Sequence, residues 1–294
     1  MLDEDSTKWF KPVFEFHKAD TFRKLIPMLL LLALFTAGIA WLELTYLHLA
    51  DDHPLKNITL MHGLLGFAIS MLLVFRTNTA YERWWEGRKL WGSLVNCSRN
   101  LAIKFDAFLP DDARKERREV AHLVGVFAVE LSDHLLKRHK PSDPSDGIDR
   151  SKHVPAQLAG RLVRRAAAWR QEGKLGDAQL WMLNGDLTNL MDICGACERI
   201  KNTPIPYSYI TFLKKFIVAY SVTLPMGYAF ALNWLAVPVV VFVFYVLASL
   251  ELIAEQIEDP FGGDSNDLPT GRYAAMIAAN VQDLLLVPSR LTTS

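Results

Sequence analysis

Residues 67–92 read FAISMLLVFRTNTAYERWWEGRKLWG. The stretch opens without a charge, and from Arg76 onward Arg, Asn, Glu and Trp crowd in, with no Pro or Gly between Phe67 and Glu86. A helix that crosses a bilayer and runs on into water has this form. Phe67, Met71 and Phe75 fall at i, i+4 and i+8, so one face carries three bulky apolar side chains. Thr77, Asn78, Glu82 and Arg83 follow on the neighbouring turns.

The rest of the chain extends that pattern. Its residues are 51% hydrophobic and 22% charged with zero formal net charge, totals that a soluble protein can also show, so distribution decides. Residues 25–42 and 57–75 are uncharged, although His62 sits in the second run, and 216–250 form a third. A spanning helix needs about 20 apolar residues. The first two runs fit one span each. The third is too long for one helix and a little short for two. It reads as two that borrow residues from their flanks, Lys214 and Lys215 snorkelling at one end and Glu251 drawn toward the other. The break belongs at Asn233 and Trp234, ahead of Pro238; the alternative is a single helix kinked at Pro225 or Pro238, leaving three spans. The expectation is an all-α membrane protein of 294 residues forming a single unit. Its transmembrane helices fall at about 23–45, 57–80, 212–233 and 235–256, with a helical cytoplasmic region over about 81–211 and 257–294.

Basic residues set the orientation. Lys8, Lys11, Lys18, Arg23 and Lys24 precede the first span, and Arg76, Arg83, Arg88 and Lys89 follow the second. The connection between them holds Glu43, Asp51, Asp52 and only Lys56. Both termini are therefore expected in the cytoplasm, in a multi-pass protein of the inner (plasma) membrane. The acidic start MLDEDSTKWF fits neither a cleavable secretory signal nor an Arg-rich transit peptide.

The cytoplasmic part is helical in pattern. Val120, Leu123, Val124, Phe127, Leu131 and Leu135 keep spacings of three and four, predicting a helix from about Asp112 to Lys140. Further helices are expected over Pro155–Gln171 and Asp177–Ile200, with PSDPSDGIDRS, residues 141–151, as a loop. Enzyme signatures are absent: no Walker loop, Rossmann fingerprint, HExxH or nucleophile elbow. No internal repeat supports a carrier built on inverted halves. Cys194-Gly-Ala-Cys197 has redox or zinc spacing but neither a second ligand pair nor a βαβ context, so Cys194, Cys197 and Cys97 are expected as buried helix cysteines without disulfides. His62 is expected to make an interhelical hydrogen bond near the outer interface rather than form a proton site.

Three further observations identify the chain as similar to the bestrophin family, prokaryotic branch. They are FRTNTAYERWWEGRKLWG leaving the second span, NTPIPYSY at 202–209 before the third, and AEQIEDPFG at 254–262 closing the fourth, with NDLPT after it. The resemblance runs from about Phe22 to the C-terminal helix. It implies a homopentameric ion channel whose second helices line an apolar neck at Phe67, Met71 and Phe75, with a second aperture at Ile205. The partners implied are other copies of the chain, the lipid bilayer and permeating inorganic ions, with no nucleic acid.

Animal members of that family are opened by calcium held beside several successive acidic residues. GGDSNDLPT here separates Asp264 from Asp267, so a calcium site on that pair is doubted and no cofactor is expected. The carboxylates Glu251, Glu255, Glu258 and Asp259 are expected to pair with basic residues such as Arg83 and Arg88 as structural charge pairs. The resemblance implies chloride and other small anions at family level, and sodium or monovalent cations for some prokaryotic members, which tilts the branch slightly toward cations. Asp51 and Asp52 at the outer mouth would enrich cations, and inner arginines would attract anions. The competing function is a membrane-anchored scaffold that binds a soluble partner.

Overall fold

The computed structural model describes residues 20–47, 58–138, 147–264 and 266–286, and every regular element among them is helical. Lys8, Lys11, Lys18, Asp51, Asp52, Lys56 and residues 141–146 of the polar loop lie outside the described residues. The helices are α1 (Asp20–Leu42), α2 (Ile58–Phe108), α3 (Arg114–Leu135), α4 (Val154–Gln171), α5 (Asp177–Asn202), α6 (Tyr207–Leu232), α7 (Ala236–Glu258) and α8 (Thr270–Leu286). They form two compact units: Met1–Tyr81 with Ile205–Glu258, and Glu82–Pro204 with Asp259–Ser294. Helix α2 gives residues up to Tyr81 to the first unit and the remainder to the second.

Thr21–Tyr46, Ile58–Phe108 and Tyr207–Glu258 are helical stretches long and apolar enough to cross a membrane. The last is not one kinked rod. Helix α6 stops at Leu232, a 3-10 turn occupies Asn233–Leu235, and α7 begins at Ala236. Asn233 takes φ 50° and ψ −129°, a positive-φ turn conformation that reverses the chain. Lys214 near the start of α6 lies 2.8 Å from Glu255 near the end of α7, so the two helices run antiparallel. Pro225 sits inside α6 without ending it.

Leu29 and Leu32 of α1, Ile69 and Leu73 of α2, Leu213, Ile217 and Leu224 of α6, and Val240, Phe244 and Leu247 of α7 fill one core. Small residues set the approach of α2 to α6: a Cβ on Gly66 would lie 2.8 Å from the Tyr220 hydroxyl. His62 is buried there, its Nδ1 2.9 Å from the Ile58 carbonyl and its Nε2 3.0 Å from Thr223 Oγ1. An interhelical hydrogen bond accounts for this intramembrane histidine.

The second unit packs α3 against α8 and α4, and α4 against α5. Its core includes Trp91, Leu94 and Phe105 of α2, Phe127 and Leu131 of α3, Trp169 of α4, and Ile277 and Val281 of α8. Helix α3 ends at Leu135, five residues short of the sequence expectation, because Leu136 and Lys137 turn the chain and Lys137 takes φ 52°. Cys97, Cys194 and Cys197 are free and buried. Burial pushes each thiol up to about 12, which suits packing rather than redox chemistry.

Candidate functional site

Helix α2 has two unlike faces. Ile69, Leu73, Arg76 and Ala80 are all at or below 2% exposure. At 100° per residue they cluster roughly opposite Phe67, Met71 and Phe75. Those three remain 69%, 45% and 58% exposed in the single chain. Leu60, Leu64 and Val74 extend the same exposed apolar face. From Phe67 to Phe75 the helix rises about 12 Å. An apolar face of that size requires lipid, another copy or a dry passage against it.

On the opposite face lies a charged group that the sequence argument placed elsewhere. The Arg76 guanidinium is fully buried; its Nη2 donates to Glu258 Oε2 at 2.7 Å and its Nε lies 4.0 Å from Glu251. Glu258 Oε1 accepts the backbone N–H of Ile205 at 2.7 Å. One carboxylate therefore holds both the helix bearing the apolar stripe and the backbone of Ile205. Tyr209 adds a second tie, its hydroxyl donating to the Leu72 carbonyl at 3.1 Å. Ile205 itself is half-buried, two residues ahead of α6.

The partners named from sequence change accordingly. Glu258 is held by Arg76, Glu255 by Lys214 at 2.8 Å, and Asp259 by Lys201 at 2.7 Å. Glu251 is buried, within 3.8 Å of Lys214. Arg83 donates to the Thr203 and Ile200 carbonyls, each at 2.6 Å, capping the end of α5. Arg88 stacks over Tyr273 at 5.1 Å. The cause is register: Arg83 lies two turns, about 10 Å, beyond Arg76 on the same helical face. Because Arg76 is buried against Glu258, it supplies no exposed positive charge to the apolar stripe.

In the second unit the first and third sequence motifs meet. A Cβ on Gly87 would lie 3.2 Å from each of Pro260, Phe261 and Leu268, so Gly87 lets the DPFG turn close on α2. Trp84 Nε1 donates to the Asn266 carbonyl, and Lys201 Nζ to the Phe261 carbonyl, each at 3.0 Å. The calcium candidates serve this turn: Asp267 Oδ2 accepts the Asp264 N–H at 2.6 Å. Burial raises the Asp267 carboxyl above its ordinary range.

A family model described as bacterial/fungal bestrophin protein matches residues 1–283. The chain belongs to this bestrophin family. A voltage-dependent anion channel-forming protein of Nostoc is 33% identical over 94% of this chain and 91% of its own length. A protein of the same description from Escherichia coli O157:H7 is 31% identical over 92% and 89%. A bacterial bestrophin homolog from Klebsiella pneumoniae superposes with TM-score 0.77 at 27% identity, covering 89% of this chain and 98% of that one. A single-substitution variant of that homolog gives TM-score 0.80 at 27% identity over 90% and 98%. The Nostoc and Escherichia coli relatives are named for forming channels, not as enzymes. The protein is an all-helical membrane protein of the family.

Arg76 and Tyr209 organise this region although neither was expected to from the sequence. Arg76 carried a legible signal, since it continues the i+3/i+7 spacing of Ile69 and Leu73 and so points away from Phe67 and Phe75. Tyr209 stood within the NTPIPYSY motif, but its bond to the Leu72 carbonyl crosses helices, which no spacing along the chain contains.

Proposed function

We propose that the chain assembles as a pentamer in which the exposed faces of five α2 helices surround an anion pathway. The observation that carries this reading is the polarity of α2: Phe67, Met71 and Phe75 exposed on one side, Ile69, Leu73 and Arg76 buried on the other. The names of the bacterial relatives favour anions over the cations that the branch alone suggested. The helices cross the membrane four times, with both termini cytoplasmic.

Gating then rests on hydration. Three apolar rings over about 12 Å form a neck in which an ion loses water without gaining ligands, at a cost of several kcal/mol. A small change of width decides whether the neck is wet. Phe67 and Phe75 also offer the positive edges of their rings, which favour an anion over a cation of the same size. Met71, unbranched and flexible, makes the middle ring the most compliant. Ile205 forms the second aperture, its position fixed through the Glu258 contact to its backbone.

Reversal potentials of the purified protein in planar bilayers under a sodium chloride gradient test this. The zero-current voltage is expected near the chloride equilibrium potential. A value near the sodium potential would replace the anion pathway with a cation pathway. Absence of any current would favour the membrane scaffold.

A further inference from the structure

One cluster in the second unit has no part in the pathway. His134 in the last turn of α3 and His153 at the N-cap of α4 both point to Glu198 of α5. Each imidazole Nε2 lies 2.6 Å from the same oxygen, Glu198 Oε1, and the ring centroids are 4.8 Å apart. One ligand atom from each residue falls within 4.8 Å of the others. The side chains of His134, His153 and Glu198 retain 37%, 37% and 25% exposure, and His134 and Glu198 stand on the wall of a cavity of about 330 Å³, so ions reach the group from solvent.

The charges around them leave Glu198 distinct. Of the other carboxylates on that wall, Glu130 pairs with Arg150 at 2.6 Å and Asp133 lies 3.9 Å from Arg138. Lys201 and Lys152 are held by Asp259 and Asp149. Among the described residues Glu198 has no Lys or Arg partner, only the two imidazoles.

We propose that His134, His153 and Glu198 bind a divalent transition-metal ion of the zinc class, with water completing the shell. Two imidazole nitrogens and one carboxylate oxygen are a donor set that such ions take with an open fourth position. Metal–ligand bonds of about 2.0–2.2 Å hold tetrahedral ligand atoms about 3.3 Å apart, so the 2.6 Å contacts open by ~0.7 Å, within reach of a carboxylate rotation. The ion replaces two N–H···O bonds by two N–metal bonds and ties three helices together.

A change of tautomer marks the event. His153 Nδ1 accepts the Ala156 N–H at 3.1 Å, so the neutral ring carries its proton on Nε2 and donates it to Glu198. Coordination through Nε2 moves that proton to Nδ1, which no longer accepts. The Ala156 amide then loses its cap.

The test uses the full-length protein in detergent, titrated with Zn²⁺ against a chromophoric chelator and with Co²⁺ for its visible ligand-field bands. One saturable ion per chain is expected, abolished in His134→Gln/His153→Gln and weakened at least about tenfold in Glu198→Gln. His122→Gln, an exposed histidine elsewhere on α3, should bind as the unmodified protein does. Saturation should speed hydrogen exchange at the Ala156 amide, a readout on the native chain that needs no variant to fold. Unsaturable binding, equal binding by the double variant, or an unchanged Ala156 exchange rate would each overturn the site.

Discussion

Replacing Arg76 by Met removes the only fully buried arginine among the described residues. Glu258 then keeps the bond from the Ile205 N–H but loses the 2.7 Å ion pair that compensated its burial. Breaking a buried pair from one side costs about 3–5 kcal/mol, because the surviving charge stays desolvated. Set against a typical folding stability of about 5–15 kcal/mol, that is a large fraction. At roughly 2–4 °C per kcal/mol for a domain near this size, the apparent Tm in detergent should fall by roughly 10 °C. Glu258→Gln should cost a similar amount while keeping an acceptor for Ile205. The double variant Arg76→Met/Glu258→Gln removes both charges, so its loss should undercut the sum of the singles by about 2 kcal/mol or more. Thermal melts of the four proteins complete the cycle. Additive losses, or an unchanged Tm for Arg76→Met, would refute the assignment of this pair as the clamp between α2, α7 and Ile205.

Gly87→Ala drives a methyl into three contacts at 3.2 Å and should destabilise the protein by about 1–3 kcal/mol, read as a lower Tm. Cys97, Cys194 and Cys197, raised from 9.0 to about 12, hold roughly a thousandth of the ordinary thiolate at pH 8. Iodoacetamide should therefore label them only after unfolding, and rapid labelling of the native protein would contradict their burial. Burial raises the Asp267 carboxyl above 3.8, so its folded form is favoured protonated and stability is lost as pH rises through the raised value. Asp267→Asn should therefore raise the Tm at pH 7 relative to the unmodified protein and leave it nearly unchanged at pH 3; no gain at pH 7 would contradict this.

Much of the helical plan was legible because hydrophobic runs and helical spacing are local properties. Asn233 and Trp234 interrupt an uncharged run at the point where α6 turns into α7, and the contact of Lys214 with Glu255 follows from that reversal. The exposed stripe on α2 was legible for the same reason, since 3.6-residue spacing places Phe67, Met71 and Phe75 on one face whatever surrounds them. Pairings across helices were not. Choosing Arg76 over Arg83 as the partner of Glu258 depends on how far α7 reaches along α2, a distance no spacing rule contains. The meeting of His134, His153 and Glu198 likewise joins residues up to 64 positions apart in sequence.

Whether the apolar face of α2 lines the ion path is read from single-channel conductance in planar bilayers, comparing the unmodified protein with Phe67→Ala/Met71→Ala/Phe75→Ala. These side chains are exposed in the lone chain, so the variant should fold, assemble to the same mass and pass markedly more current. An assembled variant with unchanged conductance would place those side chains away from the permeating ion.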